Sequence, residues 1–468
     1  MIFDTLLGSG ADYKPTPNLA LSWNSDATGK TWTVHLRKGV RWSDGAPFTA
    51  ADVVWTFDAL IDPATGSPYN GQYTFIRHVV ALDPFTVRFQ LESPNATFVE
   101  NALQSRWIMP EHSFRGIPHA QIKNSAFGEH PIGTGAYVLE RWNHDQEAVF
   151  GTNRYWWGGT QTVRTIDIRV VLQDQGRTDA MLGGAADLDD RIGADAAQRL
   201  ANVPGIHVID IPDLYTRFIN VNLHTPGLND VVVRRAMMYG WDRAAVAAGL
   251  RHSHATIANG VEPEAIRYWH DDGLKPYPYD PARANALLDG AGWKRSADGV
   301  RAKNGVPLAF ELLIPNSLLS NDIAAGFSAD MNDIGIAISV HVLDYATFIE
   351  QANASKFQLA YSGWGGQPDP DMLTLLDSKQ MPPVGNNVGF YSNPAVDRDL
   401  EAGLVTLDPA RRKQYYDDMQ VRTARDVPEL FATNEFALTA YRDRVHVTGP
   451  ILPGLYLFSN VAKWRLDP

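Results

Sequence analysis

The chain has 468 residues, of which 44% are apolar and 20% charged, with a formal net charge of −12. That length exceeds one ordinary core and points to two or three lobes, while the composition excludes wholesale disorder. The absence of cysteine excludes disulfides, thiolate zinc sites, iron–sulfur clusters and a cysteine nucleophile, and the acidic balance makes nucleic acid a poor partner.

No apolar run reaches membrane-spanning length, and Met1–Leu7 lacks the basic and apolar regions of a signal peptide. Thr31 to Arg37 alternates, with Trp32, Val34 and Leu36 on one face, which predicts a half-buried strand. Ser43-Asp44-Gly45 is a turn signal. Thr49 and Asp52 then read as a capping box that opens a helix through Val53, Phe57 and Leu60. Thr86 to Leu91 is a further strand. After the break at Pro131-Ile132-Gly133-Thr134-Gly135, strands are expected at Tyr137–Trp142 and Arg164–Leu172. Two more follow, at Gly205–Ile211 and Arg217–Leu223.

Val231 to Leu250 is a helical stretch, and Asp280-Pro281 opens another helix. Strand Pro307–Ile314, helix Asp322–Ile334, strand Ile336–Val342, helix Tyr345–Ala354 and strand Phe357–Tyr361 follow in alternation. That order implies an open, largely parallel sheet flanked by helices. Helices from Pro394 and Pro409 precede strands at Phe436–Tyr441 and Val445–Val447.

Gly29-Lys30-Thr31 imitates the end of a phosphate loop, but a strand follows it, so a hairpin turn is expected. Gly133-Thr134-Gly135 imitates a dinucleotide fingerprint with Val138 at the third glycine position, and reads as a structural turn. No Gly-x-Ser-x-Gly or His-Glu-x-x-His occurs. His252, His254, His270, Asp271 and Asp272 are metal-capable but scattered through loop signals, so no metal site is assigned. Asp369-Pro370-Asp371 reads as a capped turn; the alternatives are ligand recognition and a carboxylate-based hydrolase. Trp364, between Ser362-Gly363 and Gly365-Gly366 at a strand end, is a candidate ligand contact. The glycines leave backbone groups there accessible to an extended ligand.

Several segments resemble the extracellular solute-binding proteins of peptide and nickel ABC importers, family 5. Pro17-Asn18-Leu19-Ala20-Leu21-Ser22-Trp23 and the run from Trp32 to Val53 are similar to its early motifs. Pro131 to Tyr137, Asn153 to Trp156, Asn222, Val233 to Ala236 with Asp242-Arg243, and Tyr279 to Trp293 continue the likeness in order. Gly363-Trp364-Gly365, Asp369-Pro370-Asp371 and Tyr391 to Pro394 complete it.

The resemblance implies an α/β, two-lobed periplasmic-binding-protein-like fold of cluster C type, with mixed sheets flanked by helices. Lobe 1 would take residues 1–16, 131–221 and 437–468, with 17–130 as an inserted subdomain, and lobe 2 would take 222–436. It implies a monomeric binder, not an enzyme and without a cofactor, that closes on peptides and delivers them to an ABC permease and its ATPase. Oligosaccharides and nickel chelates are the alternative ligands. The location implied is periplasmic or lipid-anchored at the cell surface. The family's signal segment and first strand have no counterpart before Ile2, so a fragment, a misplaced start or a trimmed N-terminus is expected. The expected ligand contacts are Asp4, Tyr215, Phe218, Asn222, Ser362, Gly363, Trp364, Gly365, Gln367 and Asp369. Gln367 stands where peptide binders of this family often carry the aspartate that pairs with the ligand's α-ammonium. Asp369 or Asp4 would then supply the missing charge.

Overall fold

The computed structural model spans the chain and is described for every residue except 11, 12, 68, 251, 276, 367, 450, 453–456 and 468. The chain forms two compact units. The first comprises Met1–Ile211, Leu404–Leu407 and Ala437–Pro468; the second comprises Pro212–Gly403 and Asp408–Phe436.

In the first unit, β1 (Ala20–Ser25), β2 (Thr31–Leu36), α1 (Ala50–Ile61), β3 (Ile76–Asp83) and β4 (Thr86–Leu91) build an antiparallel sheet of order β1-β2-β4-β3 with α1 packed against it. Alternation decides which face is covered: Trp32, Val34 and Leu36 are buried while His35 is exposed. Gly29 makes the β1–β2 turn at φ +68, a left-handed backbone that glycine adopts without strain. The capping box forms as expected. Thr49 Oγ1 accepts from Ala51 N, and Asp52 Oδ2 accepts from Thr49 N at 2.8 Å.

A second antiparallel sheet follows, of β5 (Tyr137–Asn143), β6 (Glu147–Thr152) and β7 (Thr165–Arg169). Here β7 stops at Arg169, short of the expected Leu172, and Val170, Val171 and Leu172 are exposed. The Gly133–Gly135 turn is structural. A Cβ at Gly133 would lie 1.9 Å from the Ile2 carbonyl oxygen, and one at Gly135 would lie 2.1 Å from that of Met1. The glycines therefore make room for the first residues of the chain, and Gly135 N donates to Ile2 O at 2.8 Å.

α2 (Asp174–Gly183), β8 (Leu188–Asp190) and α3 (Ala194–Leu200) lead into β9 (Ile206–Val221). β9 is a single 16-residue strand where the sequence suggested two. Pro212 reads as a break because it lacks a ladder N–H, yet its fixed φ is compatible with extended backbone. The boundary between the units falls at Ile211/Pro212, inside this strand.

The second unit contains α4 (Val231–Gly240), β10 (Ala255–Ile257), α5 (Pro281–Gly290), β11 (Ala309–Pro315), α6 (Leu318–Asp333), β12 (Ala337–Leu343), α7 (Tyr345–Asn353), β13 (Leu359–Gly365), α8 (Pro394–Val405), α9 (Pro409–Asp426) and the start of β14 (Glu429–Arg442). Its sheet runs β14-β9-β13-β11-β12, with β10 also pairing β14. β11 is parallel to β12 and β13, as the alternation of strands and helices implied, but β13 is antiparallel to β9, so the sheet is mixed.

The helical stretch from Val231 ends at Gly240, and Asp242 restarts it by accepting from Ala245 N at 2.9 Å. α6 begins at Leu318, ahead of the expected Asp322, because Ser317 Oγ accepts from Ser320 N at 3.1 Å. Ile323, Phe327, Met331 and Ile334 on α6 are buried as their spacing predicted, and Trp241 meets Phe327 edge-on at 5.0 Å. Each such side chain contributes about 1.5–3 kcal/mol through burial.

Candidate functional site

β13 carries the segment singled out in the sequence, and it extends through the glycines instead of ending before them. Tyr215, Thr216, Arg217 and Phe218 of β9 lie opposite Gly365, Trp364, Gly363 and Ser362 respectively. On its other side β13 meets β11 only at Leu359 and Ala360. Beyond Ala360, that edge of β13 has no strand partner among the described residues, leaving a short stretch of backbone through Gly365 open to pairing.

Cross-strand register sorts the side chains between the two faces of the sheet. Tyr215 and Arg217 share one face with Gly365 and Gly363. A Cβ at Gly363 would lie 2.3 Å from Tyr215 Cε1, so the Tyr215 ring occupies the space a side chain would need. The Arg217 guanidinium lies 4.4 Å from the centre of that ring, and its Nε donates to Glu435 Oε1 at 3.1 Å. Burial is the largest influence and opposes the Arg217 charge, but Glu435, Tyr361 and Tyr215 together outweigh it and hold the guanidinium above its ordinary range. Burial likewise raises the Tyr215 phenol, with Arg217 pulling the other way. Trp364 and Ser362 share the opposite face with Thr216 and Phe218. Trp364 is half-buried on the apolar core of the unit, and Phe218 is buried. Thr216 Oγ1 donates to Asn434 Oδ1 at 3.0 Å.

Three expected contacts have other duties. Asn222 Nδ2 donates to Phe357 O at 2.9 Å and Ser355 O at 3.3 Å, and its Oδ1 accepts from His224 N at 3.0 Å. Its amide is therefore committed to the turn before β13. Asp369 is 2% exposed and held bidentately, with Arg412 Nη1 at 2.6 Å from Oδ2 and Nη2 at 2.8 Å from Oδ1. The polar-anchor role expected of Asp369 gives way to this internal ion pair. Asp4, in the first unit, accepts from Thr134 Oγ1 at 3.0 Å and Trp157 Nε1 at 3.1 Å. Burial raises its carboxyl above the usual range, the opposite of what an exposed charge for an ammonium needs. Gln367 lies outside the described residues.

The carboxylates of the 369–371 segment hold turns: Asp369 Oδ1 accepts from Asp371 N, and Asp371 Oδ1 from Leu373 N. Among the described residues no group of three or more His, Asp or Glu side chains is placed to hold a metal ion. Sequence reasoning missed Arg217, Glu435, Arg412 and Glu262. Arg217 alternates with Tyr215 on a strand, a signal that was available. The others gain their roles from partners distant in the chain.

The family model for bacterial extracellular solute-binding proteins, family 5 Middle, matches residues 14–381. Protein XP55 of Streptomyces lividans is 30% identical over 447 residues, covering 95% of this chain and 80% of that protein. The glutathione-binding protein GsiB of Salmonella choleraesuis is 28% identical over 89% of this chain and 80% of its own length. Among solved structures, NikZ of Campylobacter jejuni in complex with Ni(L-His) aligns with a TM-score of 0.83 at 26% identity, covering 99% of this chain and 94% of that one. The oligopeptide-binding protein AppA of Bacillus subtilis, in complex with a nonapeptide, aligns at 0.81 and 22% identity over 100% of this chain and 93% of its own, a likeness of fold. The fold class is that of the two-lobed periplasmic binding proteins, α/β with mixed sheets flanked by helices. The chain belongs to the bacterial extracellular solute-binding proteins, family 5.

Proposed function

We propose that this protein captures peptides outside the cytoplasmic membrane and delivers them, as a monomer, to an ABC permease and its ATPase. The observation that carries the ligand class is the open edge of β13 from Tyr361 to Gly365. An extended peptide pairs with such an edge through its own main chain, which is independent of peptide sequence. Trp364 and Tyr215 add apolar surface, and Arg217 with Glu435 provides one group of each charge sign beside the strand. Peptide ligands of relatives agree with this reading: GsiB is named for glutathione and AppA was solved with a nonapeptide.

Catalysis is not part of the proposal. A carboxylate pair that hydrolyses a bond must face its substrate, whereas Asp369 is buried and bound by Arg412. No helix among the described residues is long and apolar enough to cross a membrane. Calorimetric titration with peptides of two to nine residues, oligosaccharides and nickel–histidine tests the ligand class. Peptide binding with no response to sugars or the chelate supports it. Binding of an oligosaccharide or the chelate with every peptide silent overturns it.

A further inference from the structure

Glu262 is 1% exposed, and neither of its carboxyl oxygens has a hydrogen-bond partner. An uncompensated buried carboxylate is costly, so its surroundings matter. The charges that act on it are Asp369 and Asp371, on the turn after β13, and Arg412, on α9. His270, on the loop that follows Glu262, places Nδ1 at 3.0 Å from the Glu262 main-chain oxygen. Arg412 is already engaged: two of its nitrogens hold Asp369, Nη2 also reaches the Tyr416 hydroxyl at 3.2 Å, and Nε donates to Gly403 O at 2.9 Å. Three carboxyls thus lie near one guanidinium, with Glu262 and Asp369 almost fully buried and Asp371 partly exposed. Fully ionised, they would leave two uncompensated negative charges there.

The position of this cluster connects it to the ligand edge. Pro263, next to Glu262, puts Cγ at 3.6 Å from where a Cβ on Gly366 would stand, immediately after β13. Asp371 Oδ1 in turn accepts at 3.0 Å from Leu373 N, at the start of the short helix Leu373–Leu376. The turn that carries Asp369 and Asp371 therefore joins the end of β13 to that helix, with Glu262 beneath it.

We propose that Glu262 and Asp371 hold the protons of a latch: protonated, they keep the 369–371 turn and the helix after it seated against the Glu262–Pro263 loop, and loss of the protons as pH rises releases that segment. The direction follows from linkage. Burial, reinforced by Asp369, pushes the Glu262 carboxyl well above its ordinary range and the Asp371 carboxyl to about 6. The seated state then binds protons more tightly than a released, solvated state, so alkaline conditions favour release. The loss sets in as pH rises above the ordinary carboxyl range of about 4; the share of Asp371 is complete by about pH 6, and that of Glu262 continues upward.

Hydrogen–deuterium exchange on the full chain, without ligand, from pH 4 to 9 and corrected for intrinsic exchange chemistry, tests the latch. The expected result is a loss of at least about tenfold in protection at residues 369–376 across that range, with α6 unchanged; tenfold corresponds to one unit of differential proton affinity. Glu262→Gln is nearly isosteric and cannot ionise, so it should hold protection within about threefold above about pH 6 and leave only the loss at lower pH that Asp371 causes. Asp371→Asn is the second variant, should Glu262→Gln fail to fold, and should flatten the lower part of the profile. Protection that is independent of pH in the unaltered protein overturns the latch, as do variants that lose protection in parallel with it.

Discussion

Arg412 grips Asp369 through two parallel hydrogen bonds of 2.6 and 2.8 Å, with both side chains almost fully buried. The pair ties α9 to the turn after β13. Breaking it from one side strands the remaining charge. Arg412→Met is therefore expected to cost about 3–5 kcal/mol, measured by urea unfolding at pH 7. Arg412→Met combined with Asp369→Leu should cost clearly less than Arg412→Met alone, because no lone charge is left buried. Equal losses in the single and double variants would contradict this account of the pair.

Glu429, at the start of β14, is buried with one carboxyl oxygen unpartnered, and burial pushes it up to about 8. Its folded value lies above its unfolded value, so the folded state holds this proton more tightly. The protein then loses stability as pH rises from about 4.5 to about 8, and the full penalty applies above that. Glu429→Gln removes the penalty. Its advantage over the unaltered protein should be small at pH 5 and grow to a few kcal/mol by pH 8.5, in denaturant unfolding at each pH. Identical pH slopes for the two proteins would contradict the assignment.

Gly363 has to be glycine because the Tyr215 ring fills the place of its side chain. Gly363→Ala should cost about 1–3 kcal/mol by overpacking. In a Tyr215→Ala background the same change should cost less, though the Thr216 carbonyl oxygen at 2.9 Å leaves part of the clash. A double-mutant cycle of chemical denaturation measures this coupling. Additive costs would show that the ring is not what excludes the methyl group.

Thr49 closes the first turn of α1 together with Asp52. Thr49→Ala should lower stability by about 0.5–2 kcal/mol, and Thr49→Ser should retain most of it, as read from thermal unfolding.

Local chemistry accounts for much of what was legible in advance. The strands at Thr31–Leu36 and Thr86–Leu91 show clean alternation, and the starts of α1, α5, α8 and α9 carry Thr49–Asp52 or a proline within the first turn. Errors arose where a distant partner overrides a local signal. Pro212 suggested a strand break, but β9 runs through it. The glycines at 363 and 365 suggested a strand end, but Tyr215 supplies from β9 the bulk they lack. Asp369 looked available for a ligand because Arg412, which neutralises it, lies 43 residues away. Glu262 and Glu429 bear no local mark at all, since burial of a carboxyl is a property of the packed unit.

The central claim is that a peptide is held by main-chain pairing to the open edge of β13. Its most direct test is calorimetry of one bound peptide, selected from a library, against a series in which successive backbone nitrogens are methylated. The account predicts that methylation at alternate positions weakens binding about tenfold or more, as expected for a lost buried hydrogen bond, while most side-chain changes matter little. Uniform tolerance of methylation, or a protein that retains no peptide from the library and binds nickel–histidine instead, would contradict it.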